Sequence, residues 1–251
     1  MEETRDLWEA WSEDFQGAWE AETDDDELPP APVHYGPGFP EDRRFDFLPD
    51  LDDADVLELG CGGGQASVGF AREGVDRVVG LDFSTEQLDY ARRLREAYDV
   101  ETSFVAGDVS DLPIADDAFD LAFSSWVFQM VEDLRAAFAE AARVLRPDGV
   151  FVFAIPHPFY EIYDPETRAI ERSYFDSRRE RKSIGDIDAD MVVFHRTVAE
   201  IHRALTEAGF VVDELLEPGD DDPEIYREQW SHEPDLMALV PPTFVVRALP
   251  A

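Results

Sequence analysis

The sequence predicts an α/β fold: a parallel sheet with helices on both faces. Three observations carry that expectation. Short apolar runs recur at Asp55–Leu59, Arg77–Leu81, Thr102–Ala106, Phe119–Ser124 and Val150–Ile155. Helical patterns of matching length lie between them, as right-handed strand–helix–strand crossovers require. The first run, VLEL, ends in a loop almost without side chains, Gly60 to Gly64. Open α/β sheets bind ligands beyond the carboxyl ends of their strands, and this loop stands at such an end.

Each element has its own signal. Residues 1–20 read as an amphipathic helix, because Trp8, Trp11, Phe15 and Trp19 share one helical stripe. It either packs on the domain or forms a lid over a site. Residues 23–40 are acidic, then rich in proline and glycine, and read as an extended linker. Ser84 through Gln87 form a capping box opening a helix to about Tyr98. Leu134, Phe138, Ala141 and Leu145 make a helical stripe that Pro147, Asp148 and Gly149 end. Residues 157–195 read as an irregular insert rich in aromatic and charged groups. Thr197 to Glu200 is a second capping box, and Gly209 sits where a helix C-cap belongs. A strand Phe210–Leu216, an acidic excursion over 217–240 and a last strand Thr243–Leu249 complete the chain. The expected organisation is a helix and linker over 1–45 and one domain over 46–251. That domain divides into a core (54–155), a substrate-side insert (157–195) and a closing segment (196–251).

The totals bound the function. At 251 residues and 44% hydrophobic, the chain can bury a core. No apolar run approaches the ~18 residues that span a bilayer, and the N-terminus lacks a signal pattern. A single cysteine, Cys61, leaves no internal disulfide and no multi-cysteine metal site, so a cytoplasmic location is expected. No dense cluster of histidine and carboxylates predicts a metal. The 58 acidic against 21 basic residues give a formal charge of −37, and Lys182 is the one lysine. That balance resembles proteins of salt-accumulating, halophilic cytosols, where salt screens the self-repulsion. The charge then reports the solvent and does not by itself exclude a nucleic-acid partner.

The glycine loop does not fit the dinucleotide pattern G-x-G-x-x-G, because Gln65 stands at its third glycine. It fits acid-x-G-x-G-x-G, through Glu58, Gly60, Gly62 and Gly64. The second strand ends in Asp82, where a carboxylate can accept both ribose hydroxyls. The third ends in Asp108, where one can accept an adenine amino group. No basic residue lies between Gly60 and Arg72, so a pyrophosphate would meet only repulsion. A ligand with ribose, adenine, an ammonium and a sulfonium suits three carboxylates. Cys61 reads as a small loop residue rather than a nucleophile.

These motifs together resemble the class I S-adenosylmethionine-dependent methyltransferases, of the small-molecule kind with a "methyltransferase type 11" core. The matching stretches are VLELGCGGG, VVGLDFSTEQLDYAR, AGDVSDLPIADDAFDLAFSSWVFQMVEDL and RVLRPDGVFVFAIP. The resemblance is close over about 54–155 and looser to 251. It implies a three-layer, Rossmann-like, doubly wound seven-stranded sheet whose last strand, here Thr243–Leu249, runs antiparallel. It implies S-adenosylmethionine as cofactor and S-adenosylhomocysteine as product. Gly60, Cys61, Gly62 and Gly64 would pass under the methionine and ribose, with Glu58 near the ammonium. Asp82 would take the ribose hydroxyls and Phe83 the adenine face. Asp108 and Val109 would hold the adenine edge, and Ser124 and Ser125 would face the methionine.

Methyl transfer is an in-line displacement and needs no protein nucleophile, so no catalytic triad is expected. Acceptor contacts are expected from Trp126, Phe128, Gln129 and Met130, and from the insert. There His157, Phe159, Tyr160, Tyr163, Tyr174 and His195 are candidates, with His157 as a base or as a structural histidine. Residues 166–182 hold six basic side chains: Arg168, Arg172, Arg178, Arg179, Arg181 and Lys182. They read as a salt-bridged surface or as recognition of an anionic acceptor. The sequence leaves oligomeric state open. Ser124, Ser125 and Trp126 stand where base-methylating enzymes carry Asn/Asp-Pro-Pro-aromatic, and no RNA-binding module is added, which disfavours nucleic-acid substrates. The competing readings are a catalytically silent cofactor-binding module and a nicotinamide-dependent oxidoreductase.

Overall fold

A computed structural model describes residues 2–22, 33–39, 46–164, 167, 169–170, 172–183, 190–227 and 234–251. Helix α1 (Glu2–Glu22) precedes the alternating part of the chain. That part runs β1 (Asp55–Leu59), α2 (Gln65–Arg72), β2 (Arg77–Asp82), α3 (Thr85–Tyr98), β3 (Ser103–Ala106), β4 (Phe119–Ser125), α4 (Leu134–Val144) and β5 (Leu145–Pro156). The insert follows, with β6 (Tyr163–Asp164), β7 (Ala169–Ile170), β8 (Arg179–Ser183) and β9 (Asp190–Phe194). The chain ends through α5 (Val198–Glu207), β10 (Phe210–Leu216), α6 (Pro223–Arg227), α7 (Pro234–Met237) and β11 (Thr243–Pro250).

Seven strands form one sheet in the order β10-β11-β5-β4-β1-β2-β3. Only β11 is reversed, pairing antiparallel with both β5 and β10. The expected doubly wound sheet with its antiparallel last strand is the one observed. The order reverses beside β1, so the loops after β1 and β4 diverge and open a crevice there.

The inner strands are apolar on both faces because both faces are covered. Leu57 and Leu59 of β1 and Phe151, Phe153 and Ile155 of β5 join α4 and α5 in one core. Val56, Val150, Val152 and Ala154 turn the other way, with Phe70 of α2. Each fully buried aliphatic or aromatic side chain contributes ~1.5–3 kcal/mol relative to exposure. Phe128, Phe138, Phe151 and Phe153 pack ring on ring, with centroids 5.1–5.7 Å apart.

The helix ends follow the sequence in most respects. Thr197 and Glu200 form the complete reciprocal box of α5. Gly209 takes φ +92° just beyond it. Ser84 caps α3 by accepting from the Gln87 amide, but the box is only half made. The Gln87 side chain leaves it for α1, donating to Ser12 Oγ at 3.0 Å and accepting from Gln16 Nε2 at 2.6 Å. The α4 stripe ends earlier than expected: Leu145 is already strand, and Arg146 to Gly149 form a bulged start to β5.

Two regions differ from the sequence expectation. Residues 33–39, expected as linker, are core. Val33 and Tyr35 are buried, and the Tyr35 ring meets Phe39 at 4.4 Å and Phe123 at 5.6 Å. Pro37 O accepts from Thr243 Oγ1 at 2.8 Å, and Tyr35 O accepts from Trp126 Nε1 at 3.2 Å. Proline and glycine supply a chain without ladder pairing, but Val33, Tyr35 and Phe39 still fill the α2 face of the sheet. The insert is also more regular than expected, since β8 and β9 form an antiparallel ribbon with Lys182 opposite Met191. The earlier part of the expected linker and Arg168 lie outside the described residues.

Candidate functional site

A cavity of about 440 Å³ opens at the carboxyl ends of β1, β2 and β4. That volume lies in the ~300–1,000 Å³ range of small-molecule sites. One wall is the strand-end loops: Glu58, Gly60, Cys61, Gly62, Asp82, Phe83, Asp108 and Val109. The opposite wall comes from α1, the 33–39 segment, the turn after β4, and the β8–β9 ribbon.

The glycine loop is shaped by contacts only glycine allows. Gly60, Gly62 and Gly64 take φ +72°, +50° and +81°. A Cβ on Gly60 would lie 2.4 Å from Val127 Cγ2, and one on Gly64 2.8 Å from Ala91 Cβ. The Gly60 and Cys61 amides donate to Leu81 O, which ties the loop to the end of β2. The backbone is thus an open cavity floor.

Three carboxylates surround it, and each is held. Glu58 is buried and accepts from Ser67 Oγ. Burial pushes its carboxyl up to about 8, against the opposing pull of the Ser67 hydrogen bond. Asp82 accepts from the Gly62 amide at 2.9 Å and the Ser84 amide at 2.8 Å, so it spans the glycine loop and the start of α3. Burial raises its pKa, and those amides oppose the rise. Asp108 accepts from the Ser110 amide at 2.8 Å. Phe83 and Val109 add an aromatic ring and an aliphatic group to the lining beside Asp82 and Asp108. Burial raises the Cys61 thiol well above its ordinary range, with Glu58 and Asp82 adding to the effect, so the sulfur is no thiolate nucleophile.

Ser124 is a correction. It was expected to face the ligand, but it is fully buried and donates to Leu59 O at 2.8 Å. Ser125, the next residue on β4 and expected beside it, does line the cavity. Successive strand side chains point to opposite faces, so only one of the two adjacent serines faces the cavity.

The acceptor-side expectations divide. Trp126 and Gln129 line the cavity, with Val127 and Met130. Trp126 holds φ +60°, a strained value for a bulky residue, which is fixed by its amide donating to Ala154 O at 2.8 Å and by its indole bond to Tyr35. Gln129 Nε2 donates to Trp126 O at 2.5 Å, and its Oε1 is buried without a partner among the described residues.

His157, Tyr160 and His195 do not line this cavity. His157 is buried, Nδ1 accepts from the Phe159 amide at 3.0 Å, and Nε2 meets Glu217 at 2.8 Å. Both ring nitrogens are engaged, and neither contact is with a residue that lines the cavity. Burial lowers its pKa, against the raising effect of Glu217. Tyr160 begins a single 3₁₀ turn leading into β6. His195 meets Tyr174 O at 3.0 Å and lines two other pockets, of about 30 and 440 Å³. Phe128, also a candidate, is core.

Sequence reasoning missed His34, which lines the cavity from within the supposed linker. Its Nδ1 accepts from the Gly36 amide at 3.1 Å, so the neutral ring carries its proton on Nε2. Burial lowers its pKa. The alternating apolar positions Val33 and Tyr35 around it were the available signal. The ribbon residues Met191 and Val193 were missed as well, because the insert showed no clear strand pattern.

Helix α1 roofs the cavity. Trp8, Trp11 and Phe15 line it and pack on one another at 5.0–5.2 Å. The expected stripe holds for these three, and the Trp19 side chain lies outside the described residues. The same helix buries Gln16, which also accepts from Gln65 Nε2 at 2.7 Å and lies against Gly63. Glu3 pairs with Arg179 and Arg181 of the ribbon.

The basic segment is a salt-bridged surface. Arg172 pairs with Glu180, Arg178 with Asp176, and Arg179 and Arg181 with Glu3. Of the described cations in this segment, only Lys182 lines the cavity.

Residues 57–153 match the family model described as a methyltransferase domain. A malonyl-[acyl-carrier protein] O-methyltransferase of Serratia marcescens is 40% identical over 99 residues, 39% of this chain and 37% of the relative. A demethylmenaquinone methyltransferase of Paenarthrobacter aurescens is 38% identical over 109 residues, 43% of this chain and 41% of the relative. The matches span about two fifths of these relatives' length. The crystal structure of an S-adenosylmethionine-dependent methyltransferase from Mesorhizobium loti superposes with a TM-score of 0.61 at 27% identity, covering 81% of this chain and 94% of that one. The resemblance seen in the sequence thus extends to the match of the core and to the whole sheet. Among the described residues no helix is long and apolar enough to cross a membrane.

Proposed function

We propose that this chain, built around a methyltransferase domain, transfers a methyl group from S-adenosylmethionine to an O, N or C atom of a small-molecule acceptor. The observation that carries this reading is the ring of Glu58, Asp82 and Asp108 around a backbone floor with no lining cation on that wall. The residues fit the cofactor. Bound there, S-adenosylmethionine supplies an electrophilic methyl on a cationic sulfur. Asp82 and Asp108 lie where a ribose diol and an adenine amine are the donors they can accept. Phe83 and Val109 give the adenine an apolar slot, and Glu58 faces the ammonium end.

The rest of the site positions and dries the acceptor. Trp8, Trp11, Phe15, Trp126, Met130, Met191 and Val193 make the remaining walls largely apolar, so the acceptor is mainly apolar too. Excluding water strengthens every remaining electrostatic contact and orients the nucleophile for in-line attack. Helix α1 acts as a lid: its aromatic stripe faces the cavity, and its Gln16–Gln87–Ser12 network latches it to α3.

Two curated relatives with unlike acceptors each match about two fifths of this chain. The acceptor is therefore set by the less similar walls. Calorimetric titration with S-adenosylmethionine, S-adenosylhomocysteine and NADH in molar KCl tests the reading. Micromolar binding of both adenosyl ligands and none of NADH is expected, lost in a folded Asp82→Ala variant. Absence of adenosyl binding by folded wild-type protein rejects it. Binding without any single-turnover methyl transfer to cell-extract small molecules would favour a silent binding module.

A further inference from the structure

The cavity carries one feature that cofactor binding does not use. Among its described lining residues, Lys182 alone bears a fixed positive charge. It is also the only lysine in a chain whose other 20 basic residues are arginine. Its neighbours on the segment, Arg178, Arg179 and Arg181, are in surface ion pairs away from the cavity.

The ribbon explains why this side chain reaches the cavity. Lys182 of β8 stands directly opposite Met191 of β9, and both line the wall. Opposed residues of an antiparallel pair share a face, so the same face presents one ammonium beside apolar groups. Helix α1 packs on β9, which keeps that face against the roof of the cavity. Arginine's planar fork needs a broad, flat partner, whereas an ammonium is a compact point charge with three donors. Glu161 Oε2 takes one of those donors at 2.6 Å, and Glu161 lines the cavity as well. The Lys182 side chain keeps 38% exposure, and the structure gives its ammonium no other described partner.

We propose that Lys182 is the acceptor-recognition residue of this cavity, and that the acceptor is a predominantly apolar molecule presenting an anionic oxygen, carboxylate or phenolate, to its ammonium. The word acceptor rests on the methyltransferase reading; binding of the anion does not. The chain as a whole repels anions, and an apolar wall holds no water to solvate one. An ammonium at the edge of that wall is the group that offsets both costs. Glu161 holds the ammonium in place and competes with the incoming anion for it.

The test uses full-length protein saturated with S-adenosylhomocysteine in molar KCl, so that cofactor binding is measured separately. The probes are naphthalene-2-carboxylate and its neutral amide, which share ring and shape. Wild-type protein should bind the acid at least ~10-fold more tightly than the amide, in keeping with a charge-assisted hydrogen bond. Lys182→Gln should abolish that preference while leaving S-adenosylhomocysteine affinity and the melting temperature near wild type. Glu161→Gln should increase acid affinity by ~3–10-fold, because it frees a donor and removes a repelling charge. A purely structural ion pair predicts the reverse or no change for Glu161→Gln. Equal binding of acid and amide, no binding of the acid by cofactor-loaded wild type, or an unchanged preference in Lys182→Gln overturns the proposal. Failure of S-adenosylhomocysteine to bind would instead reject the methyltransferase reading.

Discussion

The two walls of the cavity are built from different kinds of information. The strand-end wall is local: Gly60–Gly64 and Asp108 follow strands, Asp82 ends one, and sheet order alone brings them together. The facing wall is assembled from α1, residues 33–39, the turn after β4 and the β8–β9 ribbon, which are far apart in sequence and meet through side-chain packing. In the proposed function the first wall would hold the cofactor and the second the acceptor.

Breaking the strand-end wall should have the largest effect. Gly60→Ala places a methyl against Val127 at a backbone φ of +72°. It should cost about 1–3 kcal/mol of backbone strain, read as a lower melting temperature, and weaken S-adenosylhomocysteine binding by ~100-fold. Near-normal binding by Gly60→Ala would mean that the loop is not the cofactor floor.

The next effect is one of pH. Burial holds the Glu58 carboxyl at about 8, above its ordinary value of 4.5. The folded protein therefore keeps a proton there that the unfolded chain has lost. The associated stability is fully present below pH 4.5 and is lost as pH rises through about 8. A ligand ammonium beside Glu58 favours the ionised form. S-adenosylhomocysteine should thus bind with proton release, and its affinity should rise between about pH 6 and 8 by at most ~10-fold per pH unit. Glu58→Gln should flatten that slope; an equal slope in the variant would assign the titration elsewhere.

On the facing wall the effects should be smaller. Gln16→Ala cuts the latch between α1 and Gln87 and should speed S-adenosylhomocysteine release by a few-fold, ~3–10, in stopped-flow tryptophan fluorescence. An unchanged release rate would leave α1 as a packed helix and not a lid. Smallest of all, His157→Gln and the pair Arg178→Gln with Arg179→Gln should leave kcat and acceptor KM within ~2-fold of wild type. His157 has both ring nitrogens engaged outside the cavity, and exposed ion pairs contribute little. A tenfold rise in KM for the arginine variant would restore the basic segment as an acceptor site.

What the sequence determined by itself was whatever depends on short-range chemistry. Strand and helix alternation follows from apolar periodicity, and the caps of α3 and α5 from Ser84 and Thr197. The glycines show a floor where side chains do not fit, and the acids after β2 and β3 mark its rim. Tertiary structure decided the rest, because burial is a property of the whole assembly. Val33 and Tyr35 looked like linker until the sheet gave them a face to cover. Gln87 looked like half of a capping box until α1 offered better partners. Ser124 and Ser125 differ only in which face of β4 they take, and packing on both faces fixes that register. His157 and Lys182 both carried chemistry on paper. Hydrogen bonding closed the first within the fold, and ribbon pairing turned the second into the cavity.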